Sequence, residues 1–402
     1  MMNKQIKNNR IFLLLLELIS KFIFSGEGGK FIADMDVDRI ELLCQEAENN
    51  KLGILLYYYC GRDNVLPDAW LNKWSIDFRT MSAYELRRAS ELRKIYKILA
   101  DNNIDAAPLK GACLAYNYYP HPALRNMGDF DILIRPDSIK KAFQLMLDND
   151  FTAGYDFGNR CHEAQLSSPK GFVLELHTHI DSDFKRCDYN LLWEGSYKSE
   201  FSKQAISYLS PEIYLLHSIN HAFKDNLIGG IRAFIDVAYI LTVADINVKG
   251  LENCAKKIGF HDDFILFMNI FLEFFPKKYI PDSKRVSVDL IKKSRYLICN
   301  FKHIKGLDQK QLMLHREYNG LSFPKKISFL IKRINTKPAS IAKTYNCRIH
   351  SPMLGFYYLY RINAYFMKYV LFLKNSKQNS LTRRIGICQK TINNYLNDSK
   401  GN

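Results

Sequence analysis

The sequence predicts an α+β fold: a small mixed or antiparallel sheet flanked by N- and C-terminal helical regions. Three observations predict it. Two short segments, Asp129–Arg135 (DFDILIR) and Phe172–Ile180 (FVLELHTHI), carry the β-branched and aromatic content of half-buried strands. On either side, before residue 103 and after residue 188, apolar residues recur at helical rather than alternating spacing. No internal repeat or low-complexity tract interrupts the 402 residues, which excludes a solenoid.

In chain order, Phe12, Leu15, Leu16, Ile19, Phe22 and Ile23 share one helical face. Glu17 and Lys21 break that apolar run and no small-residue cleavage site follows, so an amphipathic helix is expected rather than a signal peptide. Asp38–Glu48 reads as a second helix. A long one spans about Tyr84–Asn102, with Leu86, Ala89, Leu92, Ile95, Tyr96 and Leu99 as its core stripe. Residues 104–110 look extended, and Gly111–Tyr119 forms a short helix stopped by Pro120. Pro136 and Asp137 end the first strand and open a helix through Leu147, while the turn-like SSPKG at 167–171 precedes the second strand. Beyond Asp188 helices are expected again, one opened by Pro211 and Glu212 and running past His221, another over 231–241. The chain from 277 onward is basic, aromatic and mainly helical, with breaks at Pro324, Pro338 and Pro352. The expected regions are therefore 1–103, 104–187, 188–276 and 277–402.

Composition narrows the function classes. Hydrophobic content of 47% with 24% charged residues excludes wholesale disorder. Nine cysteines without a C-x-x-C pair suggest neither a disulfide framework nor a zinc ribbon, and reduced thiols fit a cytoplasmic protein. No stretch offers the roughly 20 apolar residues that span a bilayer; the nearest, 353–373, carries Arg361, Asn363 and Lys368. The net charge of +16 is unevenly placed, since residues 277–402 hold 26 Lys and Arg against 5 Asp and Glu. That asymmetry points to contact with a polyanion, against the plainer reading of a solvated surface.

The chemistry concentrates in Gly128-Asp129-Phe130-Asp131. On a strand, residues i and i+2 share a face, so both carboxylates project together while Phe130, Ile132 and Ile134 face the core. Two adjacent carboxylates repel each other unless a cation sits between them, and Mg²⁺ is held by one or two carboxylates plus substrate phosphates. Glu175 lies mid-strand between Leu174 and Leu176, where a lone carboxylate is costly without a partner. Lys110 and Gly111 end an extended segment and open a helix, a place where backbone N–H groups and a lysine suit phosphates. Arg125, four residues before Asp129, is a second phosphate clamp.

The run PLKGACLAYNYYPHPALRNMGDFDILIR, followed by VLELH, resembles the uncharacterised bacterial nucleotidyltransferases of the polymerase-β-like superfamily. The K-G…R-x-x-x-D-x-D order is also similar to that of abortive-infection nucleotidyltransferase toxins. The specific motifs cover about residues 105–180 and the looser likeness about 36–270. The resemblance implies a nucleotidyltransferase core that moves a nucleotidyl group from an NTP to a hydroxyl acceptor with Mg²⁺. It assigns Asp129, Asp131 and Glu175 as metal-binding and catalytic carboxylates, with Glu175 able to double as the base. Lys110, Gly111, Arg125, Gly128 and His177 would line the nucleotide. One departure stands out: the family's Gly-Ser is here Gly111-Ala112, which removes a hydroxyl from the phosphate loop.

Other signals compete with plainer readings. His177 and His179 alternate on one strand face, but His177 fits the nucleotide site or Glu175 better than zinc. His217 and His221 stand at i, i+4 on a helix without the glutamate of H-E-x-x-H, so packing outweighs peptidase chemistry. Arg232 and Asp236 are spaced for an internal ion pair. Leu381–Leu396 faintly resembles a helix-turn-helix around Gly386, against a plain basic tail. The rival functions are a catalytically inactive nucleotide- or nucleic-acid-binding module and a toxin-type transferase.

Overall fold

The computed structural model describes residues 2–61, 63, 65–155, 163–180, 189–201, 203–224, 227, 231–276, 286–299, 351–357, 359–360 and 380–398. The chain divides into two compact units, Met1–Ser287 and Val288–Asn402.

In the first unit, α1 (Met2–Phe24), α2 (Gly28–Ala33), α3 (Val37–Asn49), α4 (Gly53–Cys60) and α5 (Asp68–Asp101) precede the sheet. The face expected on α1 is buried at Phe12, Leu15, Leu16, Ile19 and Phe22. Asp36 starts α3 by accepting the Arg39 amide at 2.8 Å, which satisfies a donor that the first helical turn leaves free.

α5 departs from expectation. It is one helix of 34 residues that starts directly after Pro67, and between the buried Trp74 and Leu92 its buried face is not apolar. Leu86 is 74% exposed. At that level the buried face consists of Glu85, Arg88 and Glu91. Apolar periodicity cannot reveal a buried face made of paired charges.

The five-stranded sheet has the order β1-β2-β5-β4-β3, with β1 (Ala106–Pro108), β2 (Asp129–Ile134), β3 (Thr152–Tyr155), β4 (Glu163–Ser167) and β5 (Val173–His177). β2 and β5 run parallel and every other pair is antiparallel, so the sheet is mixed as expected. Pro108, which has no N–H for the ladder, sits on the edge strand β1. Phe130, Ile132, Ile134, Leu174 and Leu176 are fully or almost fully buried on one face. The turn before β5 is built by Ser168, whose Oγ accepts the Phe172 amide at 3.2 Å, and by Gly171 at φ +79°, a value that glycine adopts without strain.

α6 (Lys110–Asn117) packs against β2, and α7 (Ile139–Leu147) against β5 and α5. After α8 (Tyr189–Trp193), where only helices were expected, β6 (Tyr197–Phe201) and β7 (Gln204–Tyr208) form a hairpin packed on β1 and α5. Helices α9 (Pro211–Lys224), α10 (Arg232–Val243), α11 (Val248–Lys257) and α12 (His261–Phe271) complete this unit, with α9 against α6 and α10 against α1.

In the second unit α13 (Val288–Cys299) packs against α14 (Ser380–Asp398). α14 is one uninterrupted helix that buries Ile385, Cys388, Ile392 and Leu396, so there is no turn at Gly386 and no helix-turn-helix. Most of the basic stretch 277–402, including Pro324, Pro338 and 361–379, lies outside the described residues. Among the described residues, no helix is long and apolar enough to cross a membrane.

Candidate functional site

The parallel β2–β5 register assembles the site. Asp129 stands opposite Val173, Asp131 opposite Glu175 and Leu133 opposite His177. Residues in register on neighbouring strands share a face, so Asp129, Asp131, Glu175 and His177 all lie on the side away from the Phe130 core. β1 then delivers Lys110: the Leu109 amide donates to the Asp131 carbonyl at 2.9 Å, and the next residue opens α6 beside the carboxylates.

Asp131 is the hub and is almost fully buried. Its Oδ1 receives Lys110 Nζ at 2.6 Å and His177 Nε2 at 2.9 Å. His177 Nε2 also lies 3.5 Å from Glu175 Oε2, and Gln165 from β4 donates to Glu175 Oε1 at 3.0 Å. Burial pushes the Asp131 carboxyl upward, yet the His177 and Lys110 contacts outweigh it and hold the group well below the usual carboxylate range. Glu175 is likewise held low, chiefly by the His177 hydrogen bond. Burial opposes the charge on His177, but Asp131 and Glu175 raise its pKa to about 9.

Asp129 behaves differently. Its carboxyl has a hydrogen bond to its own backbone and feels the Lys110 charge, but burial and then the charges of Asp131 and Glu175 outweigh both and raise its pKa. One carboxylate on this face is thus only partly compensated. One donor atom each from Asp131, Glu175 and His177 lies within 4.8 Å of the others; Asp129 stands two residues along the same face, outside that group. Two converging carboxylates, with a third on the same face, fit a hard divalent cation. His177, expected to point outward beside Glu175, faces the site but is itself buried, as the shared partner of both carboxylates.

The remaining predicted residues are placed unevenly. Lys110, expected to be exposed and free for phosphates, is 27% exposed at its side chain and bonded to Asp131. Its φ of +41° is left-handed, which costs a non-glycine residue about 1 kcal/mol or more. Gly111 is held by packing: a Cβ there would stand 2.6 Å from Met127 Cβ. Gly128 has open space on its Cβ side. Ala112, at the position of the family serine, is buried.

Arg125 is engaged elsewhere, donating to Asp236 on α10 at 2.7 Å through Nε and 3.0 Å through Nη2. Tyr119 also donates to Asp236 at 2.6 Å, so the expected Arg232–Asp236 pair is replaced by one from a distant segment. α9 adds a group that sequence reasoning set aside as packing. His217 is buried within reach of the charges of Lys110, Asp131 and His177, and burial followed by the Lys110 charge drives its pKa well below the ordinary histidine value. Its i, i+4 spacing from His221 was the available signal.

The raised His177 pKa sets a pH dependence for the metal-free protein. A group raised from 6.5 to about 9 stabilises the fold fully below pH 6.5 and loses that contribution as pH rises through 9. The loss is on the order of 3 kcal/mol. Asp131, held low, contributes above pH 4 and loses its share only in acid. Thermal melts in chelator should therefore show His177→Gln flattening the decline between pH 6.5 and 9. An unchanged slope would refute the charged His177.

Residues 36–276 match the profile of a family described as an uncharacterised nucleotidyltransferase. The chain is also similar to a crystal structure of an antigenic nucleotidyltransferase-like protein from Paracoccidioides brasiliensis, at 18% identity over 47% of this chain and 93% of that one, with a TM-score of 0.30. Comparison with curated proteins gives no match.

Proposed function

Because this chain belongs to the uncharacterised nucleotidyltransferase family matched over residues 36–276, we propose that it moves a nucleotidyl group from an NTP to a hydroxyl acceptor at the Asp129–Asp131–Glu175 cluster. The observation that carries the reading is three carboxylates on one sheet face, with the burial and repulsion at Asp129 only partly offset by Lys110. A protein that only bound a polyanion would gain nothing from three clustered acids.

Asp129, Asp131 and Glu175 would hold the divalent cation, Mg²⁺ by family resemblance. When bound there it neutralises charge on the triphosphate and lowers the pKa of the acceptor hydroxyl. Glu175, kept low by His177, suits a charge-bearing ligand better than a proton acceptor. His177 keeps Asp131 and Glu175 oriented through one nitrogen. Lys110 has two available partners, the Asp131 oxygen that it holds without ligand and the incoming phosphates. Gly128 leaves room for the nucleotide to approach the backbone.

Incubation of the pure protein with each labelled NTP, Mg²⁺ and cell extract should label an acceptor of one class: small metabolite, RNA or protein. Retention of NTP with no label transferred under any of them would favour the inactive binding module. Lys110→Ala should weaken NTP binding about tenfold or more, since a charge-assisted hydrogen bond contributes roughly 1.5–3 kcal/mol. The same variant should melt lower in chelator and recover with saturating Mg²⁺. Wild-type NTP affinity in Lys110→Ala would remove lysine from the phosphate role.

A further inference from the structure

We propose that Arg88 is a positioning residue for the carboxylate strand: it fixes the chain that enters β2 and thereby sets where Asp129 and Asp131 stand. The inference rests on reading that cluster as the divalent-cation site.

Arg88 lies on the buried face of α5, 3% exposed, between Glu85 and Glu91 at the same exposure. Burying a guanidinium is costly unless its donors are met. Nη1 pairs with Glu85 Oε1 at 2.9 Å, and Tyr116 of α6 braces Glu85 Oε2 at 3.0 Å. The guanidinium also stands 4.5 Å over the Tyr84 ring. A plain helix-internal pair would stop there. Nη2 instead donates to the backbone carbonyl of Met127, 39 residues along the chain and two before Asp129.

Met127 is held from its other side too. Gly111 of α6 leaves just enough room for the Met127 side chain, since a Cβ at 111 would stand 2.6 Å from Met127 Cβ. A guanidinium at the carbonyl and a glycine at the side chain make a two-sided seat. Between that seat and Asp129 lies only Gly128, with nothing within 4 Å on its Cβ side. Positions of reacting groups matter at the level of about 1 Å, so the seat controls the site although Arg88 bonds to none of its carboxylates.

The test is Mn²⁺ binding followed by electron paramagnetic resonance, without nucleotide, in variants shown to be folded by circular dichroism. Arg88→Met should bind Mn²⁺ about tenfold more weakly than wild type, the scale of lost outer-shell support, and Arg88→Lys should recover part of the loss. Gly111→Ala disturbs the same seat from the other side, so the double variant should lose less than the product of the two single losses. If Arg88→Met fails to fold, Glu85→Gln/Arg88→Met removes the orphaned carboxylate charge and should show the same weakening. Wild-type Mn²⁺ affinity in a folded Arg88→Met or Glu85→Gln/Arg88→Met variant, or losses that simply multiply, would overturn the proposal while leaving the cation site intact. Absence of Mn²⁺ binding to the wild type would overturn both.

Discussion

Asp131→Asn is expected to abolish nucleotidyl transfer and, separately, to destabilise the metal-free protein by about 3 kcal/mol. The second effect comes from the cations around it. Lys110 and His177 both bond Asp131 Oδ1, and removing the charge leaves a part-buried and a buried donor facing a neutral amide. Asp129→Asn should abolish transfer as fully but leave the metal-free fold unchanged or more stable, because burial and the repulsion from Asp131 and Glu175 outweigh the attraction of Lys110 at Asp129. Two adjacent carboxylates, equivalent by sequence, thus separate in a melting experiment in chelator. Equal shifts in Tm for the two variants would refute the asymmetric cluster, and turnover in either would refute its catalytic role.

Asp236→Ala should cost about 3–5 kcal/mol, the scale for stranding a buried charge. Arg125, with 13% of its side chain exposed, donates twice to Asp236, and Tyr119 donates a third time. Arg125→Ala should cost a similar amount, and the double variant less than the sum, because one interaction is lost in all three. Additive losses measured by urea unfolding would show that the pair is not a unit. The same proteins address the arginine's expected role at the phosphates. If Arg125 turns toward NTP, saturating Mg²⁺ and NTP should raise the Tm of wild type more than that of Arg125→Ala. Equal gains would leave Arg125 as a tether between the segment before β2 and α10.

What was legible in the sequence was local. Asp129–Ile134 and Val173–His177 announce themselves as short, mostly apolar runs bounded by turn residues, and the i, i+2 rule is enough to put Asp129 and Asp131 on one face. α1 and α7 were legible because their buried faces are apolar at regular spacing. What escaped was decided by partners far along the chain. Thr152–Tyr155 and Glu163–Ser167 have little strand character alone and form a sheet through pairing with one another and with β5. The 197–208 hairpin hid among polar residues, and four of the five residues of Tyr197–Phe201 are exposed. Leu86 looked like core and is not, because Arg88 and its carboxylates take that face. By sequence alone Lys110 and Arg125 are phosphate-binding candidates. Their anionic partners, Asp131 and Asp236, stand 21 and 111 residues away and no local pattern reveals them.

The pairing of β2 with β5 has a kinetic consequence. α7, β3 and β4 lie between these strands in the chain, so Asp131 and Glu175 are brought together only when β2 and β5 pair. Contacts of such long sequence separation form slowly. Until they form, each carboxylate is separately hydrated and feels little repulsion from the others. A divalent cation held by the finished cluster finds no comparable site in the open chain and favours the native state by mass action, by about 2.7 kcal/mol at a hundredfold excess over Kd. Under the proposed function, resistance to proteolysis would then rise and fall with the free divalent-cation concentration, and a chelator would shorten the lifetime of the sheet without touching a single residue.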